Sequence, residues 1–349
     1  MTKRQGGSQE SEPAGRRRHL SHEELVLLHP LPGEVVLETP PIRMAYREIK
    51  VLLVVGGQSC CFTAPSSSGK SCAIALIREY LEREFGDIPV FVFNVTDSTD
   101  QAIKEFLVQW LHVLCHGDVT GTAYSLRQRI VKRLLDVARA AGARKIIFLF
   151  DEAQNMTARD VKFLKAVYND LFTKQVHLVT VSFGQSPEFA TKMKELVAHR
   201  DLVRRFFACR FRFGDIALPE EVKALFHEID HLPFVEAGVT WTQFYAPHAW
   251  EKGWRLEGEV TTLEGALRET GFLPITVATQ SETISMGLLL PALRRFLTAL
   301  ACDDSPDIAL PLDGKRWCEA LRACGYEMAG EEGDDRPRTT GKHSKTGKK

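Results

Sequence analysis

The sequence predicts an α/β domain on a parallel sheet covered on both faces, followed by a smaller, mainly helical region. Three observations carry this. Apolar runs of strand length, such as "KIIFLF" from Lys145 and "HLVTVSF" from His177, alternate with stretches of helical spacing. Several of these runs are apolar throughout, as strands buried on both faces must be. After Pro219 the strand signal fades while helical spacing persists. The 349 residues, 44% hydrophobic and 26% charged, suffice for one large domain or two modest ones with a real core.

Taken in order, residues 1–20 are polar, Gly/Ser-rich and include Arg16-Arg17-Arg18, the composition of a disordered tail. Ile42 to Val55 reads as a helix and "QSCCFTA" as the first strand. Ser71 to Phe85 is a helix with Ile74, Ile77, Leu81 and Phe85 on one face. "VFVFNVTD" is a buried strand. Asp100 to Cys115 follows as a helix carrying Ile103, Leu107, Trp110 and Leu114, and Ser125 to Ala141 is another. The strand "KIIFLFDE" ends in two acids. A helix from Ala158 to Thr173, the strand "HLVTVSFGQ", a short helix, a basic turn and the strand "ACRFRF" complete the set. Beyond it, helices are expected over Glu220 to Asp230 and Ile275 to Leu300. The aromatic-rich "WTQFYAPHAWEKGWRLEGEV" between them fits no clear period. Residues 329–349 pass from acidic to basic with no core-forming run, a second disordered tail. The chain thus divides into a tail (1–20), a core (21–215), a helical region (216–328) and a tail (329–349).

Lys plus Arg and Asp plus Glu balance at 45 each, so bulk charge demands no nucleic-acid partner. No apolar run approaches the roughly 18–20 residues of a membrane span, and the N-terminus lacks the apolar centre of a secretory signal. The eight cysteines form no CxxC pair, and several lie in apolar stretches. These features suggest a reduced, cytoplasmic protein.

Between the first strand and its helix lies "FTAPSSSGKSCAIAL". It fits [AG]-x-x-x-x-G-K-[ST], with Ala64 at the first position and Ser66, Ser67 and Ser68 in the middle. A loop so placed turns backbone N–H groups, from Ser66 through Gly69 to Cys72, and a helix N-terminus toward an anion. Lys70 reaches the β- and γ-phosphates of a nucleotide, and the Ser71 hydroxyl holds Mg²⁺. The pattern points to ATP as ligand. Asp151 and Glu152 sit at the carboxyl end of a buried strand, where open α/β sheets bind ligands. Asp151 is the second Mg²⁺ candidate, and Glu152 the activator of the attacking water. Gln185 ends the next strand, beside the γ-phosphate position. Arg200, Arg204 and Arg205 precede the last strand, where an arginine can reach a neighbouring subunit's phosphate.

The order A-x-x-x-x-GKS, "FDEAQNM", "FGQSPEF" and "RRF" resembles the AAA+ ATPases of the TniB/TnsC type, regulators of DNA transposition, and their ExeA-type relatives. The similarity covers about residues 40–213 and continues weakly to about residue 300. It implies a P-loop AAA+ three-layer core with a parallel sheet, followed by a small helical lid. It implies phosphate and Mg²⁺ binding by Lys70 and Ser71, a Walker B pair in Asp151 and Glu152, a first sensor in Gln185, and a finger in trans in Arg204 or Arg205. Its implied partners are further copies of the chain, in a ring or filament, together with double-stranded DNA, a transposase and a target selector. DNA contacts would come from Lys104 and the loop "GDVTGTAY", with Thr120 and Thr122, though a solvated Lys104 is an equally plain reading. The ExeA-type alternative is an ATPase serving a secretion or envelope assembly. Three departures stand out: Ala64 for glycine, a serine inserted in the GQ-PE motif, and no second-sensor arginine in "ETGFLPITVATQSETISMG". They suggest slow turnover, with ATP as an assembly switch.

One motif is discordant. "HEIDH" is a literal H-E-x-x-H. On a helix, His227 and His231 share a face on which zinc can bind, with Glu228 as base and Glu251 or Glu257 as a third ligand. Pro233 ends that helix at once, and the zinc-protease reading remains a minor alternative to a lid helix with partly exposed histidines.

Overall fold

The computed structural model describes residues 22–33, 35–96, 103–274 and 282–331. Five strands form one parallel sheet: β1 (Cys60–Ala64), β2 (Val90–Asn94), β3 (Lys145–Asp151), β4 (His177–Gln185) and β5 (Cys209–Arg212). Their order is β2-β3-β4-β1-β5. Eight helices precede or join them: α1 (His22–Leu28), α2 (Pro40–Val55), α3 (Lys70–Glu84), α4 (Ile103–Val113), α5 (Ala123–Ala140), α6 (Ala158–Phe172), α7 (Glu188–Leu196) and α8 (Arg200–Phe206).

The continuous apolar runs have the reason expected of them. In β3, Ile147 and Leu149 face one layer, with Ile49 of α2 and Ile77 of α3. Ile146, Phe148 and Phe150 face the other, with Trp110 of α4, Leu134 of α5 and Leu164 of α6. A strand with helices on both faces has no polar side to show. Trp110 stacks on Phe148 at 4.4 Å between ring centres, and each such fully buried side chain contributes roughly 1.5–3 kcal/mol. The architecture is a three-layer α/β fold, one parallel sheet between two layers of helices.

Local signals fix the element ends. The Thr122 hydroxyl accepts from the Ser125 N–H and starts α5, while Thr157 and Asp160 form a reciprocal capping box on α6. The basic turn expected near Arg200 is instead the helix α8. Glu152, expected as the end of β3, leaves the strand with φ +52°.

The C-terminal region holds α9 (Glu220–His231), α10 (Trp241–Tyr245), α11 (Pro247–Glu251), α12 (Val260–Glu269), α13 (Met286–Asp303) and α14 (Lys315–Glu331). The helix expected from Ile275 begins at Met286, because the Ser285 hydroxyl caps the Leu288 N–H. Thr283–Ile284 before it pairs antiparallel with Ile216–Ala217, and residues 275–281 lie outside the described ones. The aromatic-rich stretch resolves into α10 and α11, with Trp254 of the following segment also buried. Trp317 stacks on Phe296 at 4.0 Å. The buried Glu259 carboxylate accepts from the indole N–H groups of Trp254 at 2.8 Å and Trp317 at 3.2 Å. Burial raises its pKa, which those bonds partly oppose.

Residues before α2 join this C-terminal body. Leu31 and Leu37 lie in one apolar cluster with Phe226, Leu263 and Phe296. His29 is buried among the rings of Phe234, Trp241, Phe244 and Tyr245. Burial lowers its pKa to about 4, and its Nδ1 accepts from the Leu31 N–H at 3.1 Å. The N-terminal segment is therefore anchored on the C-terminal helices before it enters α2.

Candidate nucleotide site

The carboxyl end of β1 runs into the loop. Ala64 is fully buried and in register with Gln185, and its carbonyl accepts from the Ser186 N–H at 2.8 Å. It is still strand, with no positive φ, so no glycine is needed there. The positive-φ positions come later, at Ser67 (+55°) and Gly69 (+84°). Lys70 opens α3 and is 7% exposed, its ammonium folded back to 3.4 Å from the Pro65 carbonyl. The Ser68 hydroxyl donates to the same carbonyl at 3.0 Å.

Ser71 and Asp151, eighty positions apart, meet directly: the hydroxyl donates to Asp151 Oδ2 at 2.7 Å. Asp151 Oδ1 accepts from the Glu152 N–H at 2.9 Å. The Glu152 carboxylate takes a short hydrogen bond from Gln154 Nε2, and Gln154 Oε1 accepts from the Gln185 N–H at 2.9 Å. A hydroxyl and a carboxylate beside a phosphate loop form a hard oxygen donor set that suits Mg²⁺.

Ser66 to Cys72, Glu152 and Gln185 line a cavity of about 440 Å³. Its other wall was not read from the sequence. Val35, Leu37, Thr39 and Ile42 come from the N-terminal segment, and Met286, Gly287 and Leu290 from the start of α13. One half of the cavity is thus a cradle of N–H groups and one ammonium, and the other an apolar slot. The Gly287 N–H donates to the Ser67 carbonyl at 3.0 Å. A Cβ at Gly287 would stand 2.6 Å from Ser67 Cβ, so a glycine is required for this approach. Residues Thr39-Pro40-Pro41 and Ser285-Met286-Gly287 are ordinary helix starts, and only their meeting gives them a role.

Arg204 and Arg205 lie elsewhere. They line a separate cavity of about 530 Å³ with Gly57, Gln58, Ser59, Tyr168 and His177, at the amino ends of β1 and β4. Arg205 donates to Asn169 Oδ1 at 2.6 Å, its guanidinium 4.5 Å from the Tyr168 ring centre. Arg204 is exposed. The structure brings Ala64, Ser66 to Cys72, Asp151, Glu152 and Gln185 together and leaves both arginines at the far end of the sheet.

Of the DNA candidates, Lys104 is exposed on α4. The Thr120 hydroxyl donates to Asp118 at 2.9 Å, and Thr122 caps α5. In HEIDH, His227 bonds Glu257 at 2.8 Å and His231 the His227 carbonyl at 2.7 Å. Glu228 pairs with Arg43 of α2 at 2.7 Å, bridging α9 to the core. Among the described residues, no group of three or more His, Cys, Asp or Glu is placed to hold a metal ion. No described helix is long and apolar enough to cross a membrane.

Residues 55–193 match the family model described as AAA domain. This stretch is an AAA domain. The AAA domain holds the whole phosphate half of the cavity, and the chain is an ATPase. Among curated proteins, none matches the sequence at a significant level. Solved structures with a similar trace include Cdc6p from Pyrobaculum aerophilum, at 13% identity and a TM-score of 0.47, over 85% of this chain and 70% of that one. Domain III of the replication initiation protein DnaA from Thermotoga maritima aligns at 14% identity and a TM-score of 0.41, over 83% and 94%. The Aeropyrum pernix ORC1 protein in complex with DNA aligns at 12% identity and 0.41, over 86% of each.

Proposed function

We propose that this chain is an ATP-dependent, DNA-binding regulator of transposition of the TniB/TnsC type. The observation that carries the oligomeric part of this reading is a separation of charges. The phosphate loop and its acids stand at the carboxyl ends of the strands, while Arg204 and Arg205 stand at the amino ends. One chain cannot bring its own arginines to its own nucleotide, but a neighbour can. ATP binding then links subunits into a ring or filament. The transposition part rests on the motif order in "FDEAQNM" and "FGQSPEF".

In this reading Lys70 and the loop N–H groups hold the phosphates, and Val35, Leu37, Ile42, Met286 and Leu290 enclose the base. Ser71 and Asp151 would hold Mg²⁺, which neutralises phosphate charge when bound. Glu152 takes a proton from water as the water oxygen bonds to the γ-phosphorus. The bond from that phosphorus to the β-phosphate oxygen breaks, and ADP and phosphate leave. Gln185 steadies the γ-phosphate. Further copies, duplex DNA, a transposase and a target selector are the partners, and Lys104, Thr120 and Thr122 are candidate DNA contacts made in the assembled state.

The test is co-sedimentation of the full chain with duplex DNA, with and without a non-hydrolysable ATP analogue. Analogue-dependent assembly is expected for the wild type, lost in Lys70→Ala and weakened by salt. Assembly that ignores nucleotide, or that Lys70→Ala leaves intact, would refute the reading.

A further inference from the structure

The segment that closes β3 and follows it, "DEAQN", spends only its acids on phosphate chemistry. In the sheet, β3 lies between β2 and β4. Asn155 Nδ2 donates to the Val95 carbonyl at 3.0 Å, fastening the segment to the end of β2. Gln154 Oε1 accepts from the Gln185 N–H at 2.9 Å, fastening it to the end of β4. The other half of the Gln154 amide donates to Glu152 Oε2. The two partners fix the amide's orientation, because an N–H can meet only the oxygen and a carboxylate only the NH₂.

We infer that Gln154 is the positioning residue for Glu152, tying the carboxylate to the backbone of the residue that senses the γ-phosphate. The inference rests on Glu152 being the base. The Glu152 backbone sits at φ +52°, sparsely populated for a residue with a side chain, so its placement depends on its surroundings. With Oε2 held, Oε1 is left for the water proton. A displacement of Gln185 by phosphate moves the N–H that holds Gln154, and the carboxylate with it. A glutamine suits this place because it carries donor and acceptor on one reach; asparagine is a methylene shorter, and glutamate has no donor.

The decisive variant is Gln154→Glu. It keeps an acceptor for the Gln185 N–H, and with it the tie to β4, but faces Glu152 with a carboxylate instead of a donor. In the full chain with DNA, kcat for ATP is expected to fall by about ten- to a hundredfold, the scale of a misplaced reacting group. KM and the affinity for a fluorescent non-hydrolysable analogue are expected to stay within about twofold, since ground-state binding is untouched. Gln154→Leu, which loses both bonds, should lose at least as much kcat; if it fails to fold, Gln154→Glu decides alone. An unchanged kcat in Gln154→Glu, or a raised KM with kcat intact, overturns the assignment. Glu152→Gln, measured alongside, separates the two readings. If it keeps full turnover, the base assignment itself fails. If it loses turnover while Gln154→Glu does not, only the positioning role fails.

Discussion

The two ends of the parallel sheet are built differently. At the carboxyl end, Lys70 and Asp151 are buried, Glu152 and Gln185 are held by hydrogen bonds, and the N-terminal segment with α13 closes over them. At the amino end, Arg204 is exposed, and Arg205 rests on a tyrosine ring in a separate cavity. The first end is pre-organised within one chain, as a site that must stabilise developing charge needs to be. The second gathers Arg204 and Arg205 beside Asp201, whose carboxylate is already paired with Lys165. Under the proposed function, folding completes half of the machine and assembly supplies the rest.

The largest expected effect tests the closed end. Glu152→Gln should lower kcat by about 10²–10⁴, the range for a general base, with nucleotide binding retained in a fluorescence titration. Loss of binding instead would mean that Glu152 shapes the cavity and performs no chemistry. Next comes the open end. Arg204→Ala with Arg205→Ala should reduce turnover on the order of 10² while each chain still binds ATP. Mixing these subunits with Lys70→Ala subunits should recover part of the activity, since each lends what the other lacks. If mixing restores nothing, the arginines do not act between chains. Gly287→Ala tests the roof. Its methyl group must push α13 off Ser67, and overpacking of this kind costs about 1–3 kcal/mol. KM for ATP should rise, and the melting temperature of the nucleotide-free chain should fall by a few degrees. Smallest is Arg43→Ala. Both partners of the Arg43–Glu228 pair are more than a third exposed, so its loss should cost less than about 1 kcal/mol and vanish at high salt. A larger, salt-resistant effect in a denaturation series would make this pair a true hinge clamp.

The same contrast governs what could be read in the sequence. The sheet was legible because each strand is a contiguous run with one physical demand, burial on both faces: Ile146 to Phe150 admit no other placement. The phosphate half of the site was legible for a similar reason. Loop, acids and Gln185 each end such a strand, and parallel topology brings those ends together. The apolar half was not legible. Val35, Leu37, Met286 and Leu290 carry no chemistry of their own, and nothing local says that residues some 250 positions apart form one slot. The helices α10 and α11 were missed because they are too short for a period to emerge. The role of Gln154 needed coordinates, since a glutamine after two acids is common and only its two bonds give it work.

The anchoring of Leu31 and His29 among the C-terminal helices has a consequence for the order of events in the cell. During synthesis the phosphate loop leaves the ribosome early and can form with its sheet. The N-terminal segment must wait, because its apolar partners are translated after the sheet. The base slot therefore cannot exist on a nascent chain. Under the proposed function, only a chain that includes α13 grips the whole nucleotide, and the grip in turn holds residues 35–42 to α13. A free energy of RT ln(1 + [L]/Kd) then protects the late-folding helices as well as the sheet. In hydrogen exchange, added nucleotide should slow the amides of α13 and of residues 35–39 as well as those of the loop, so one ligand would report on whether α13 has docked.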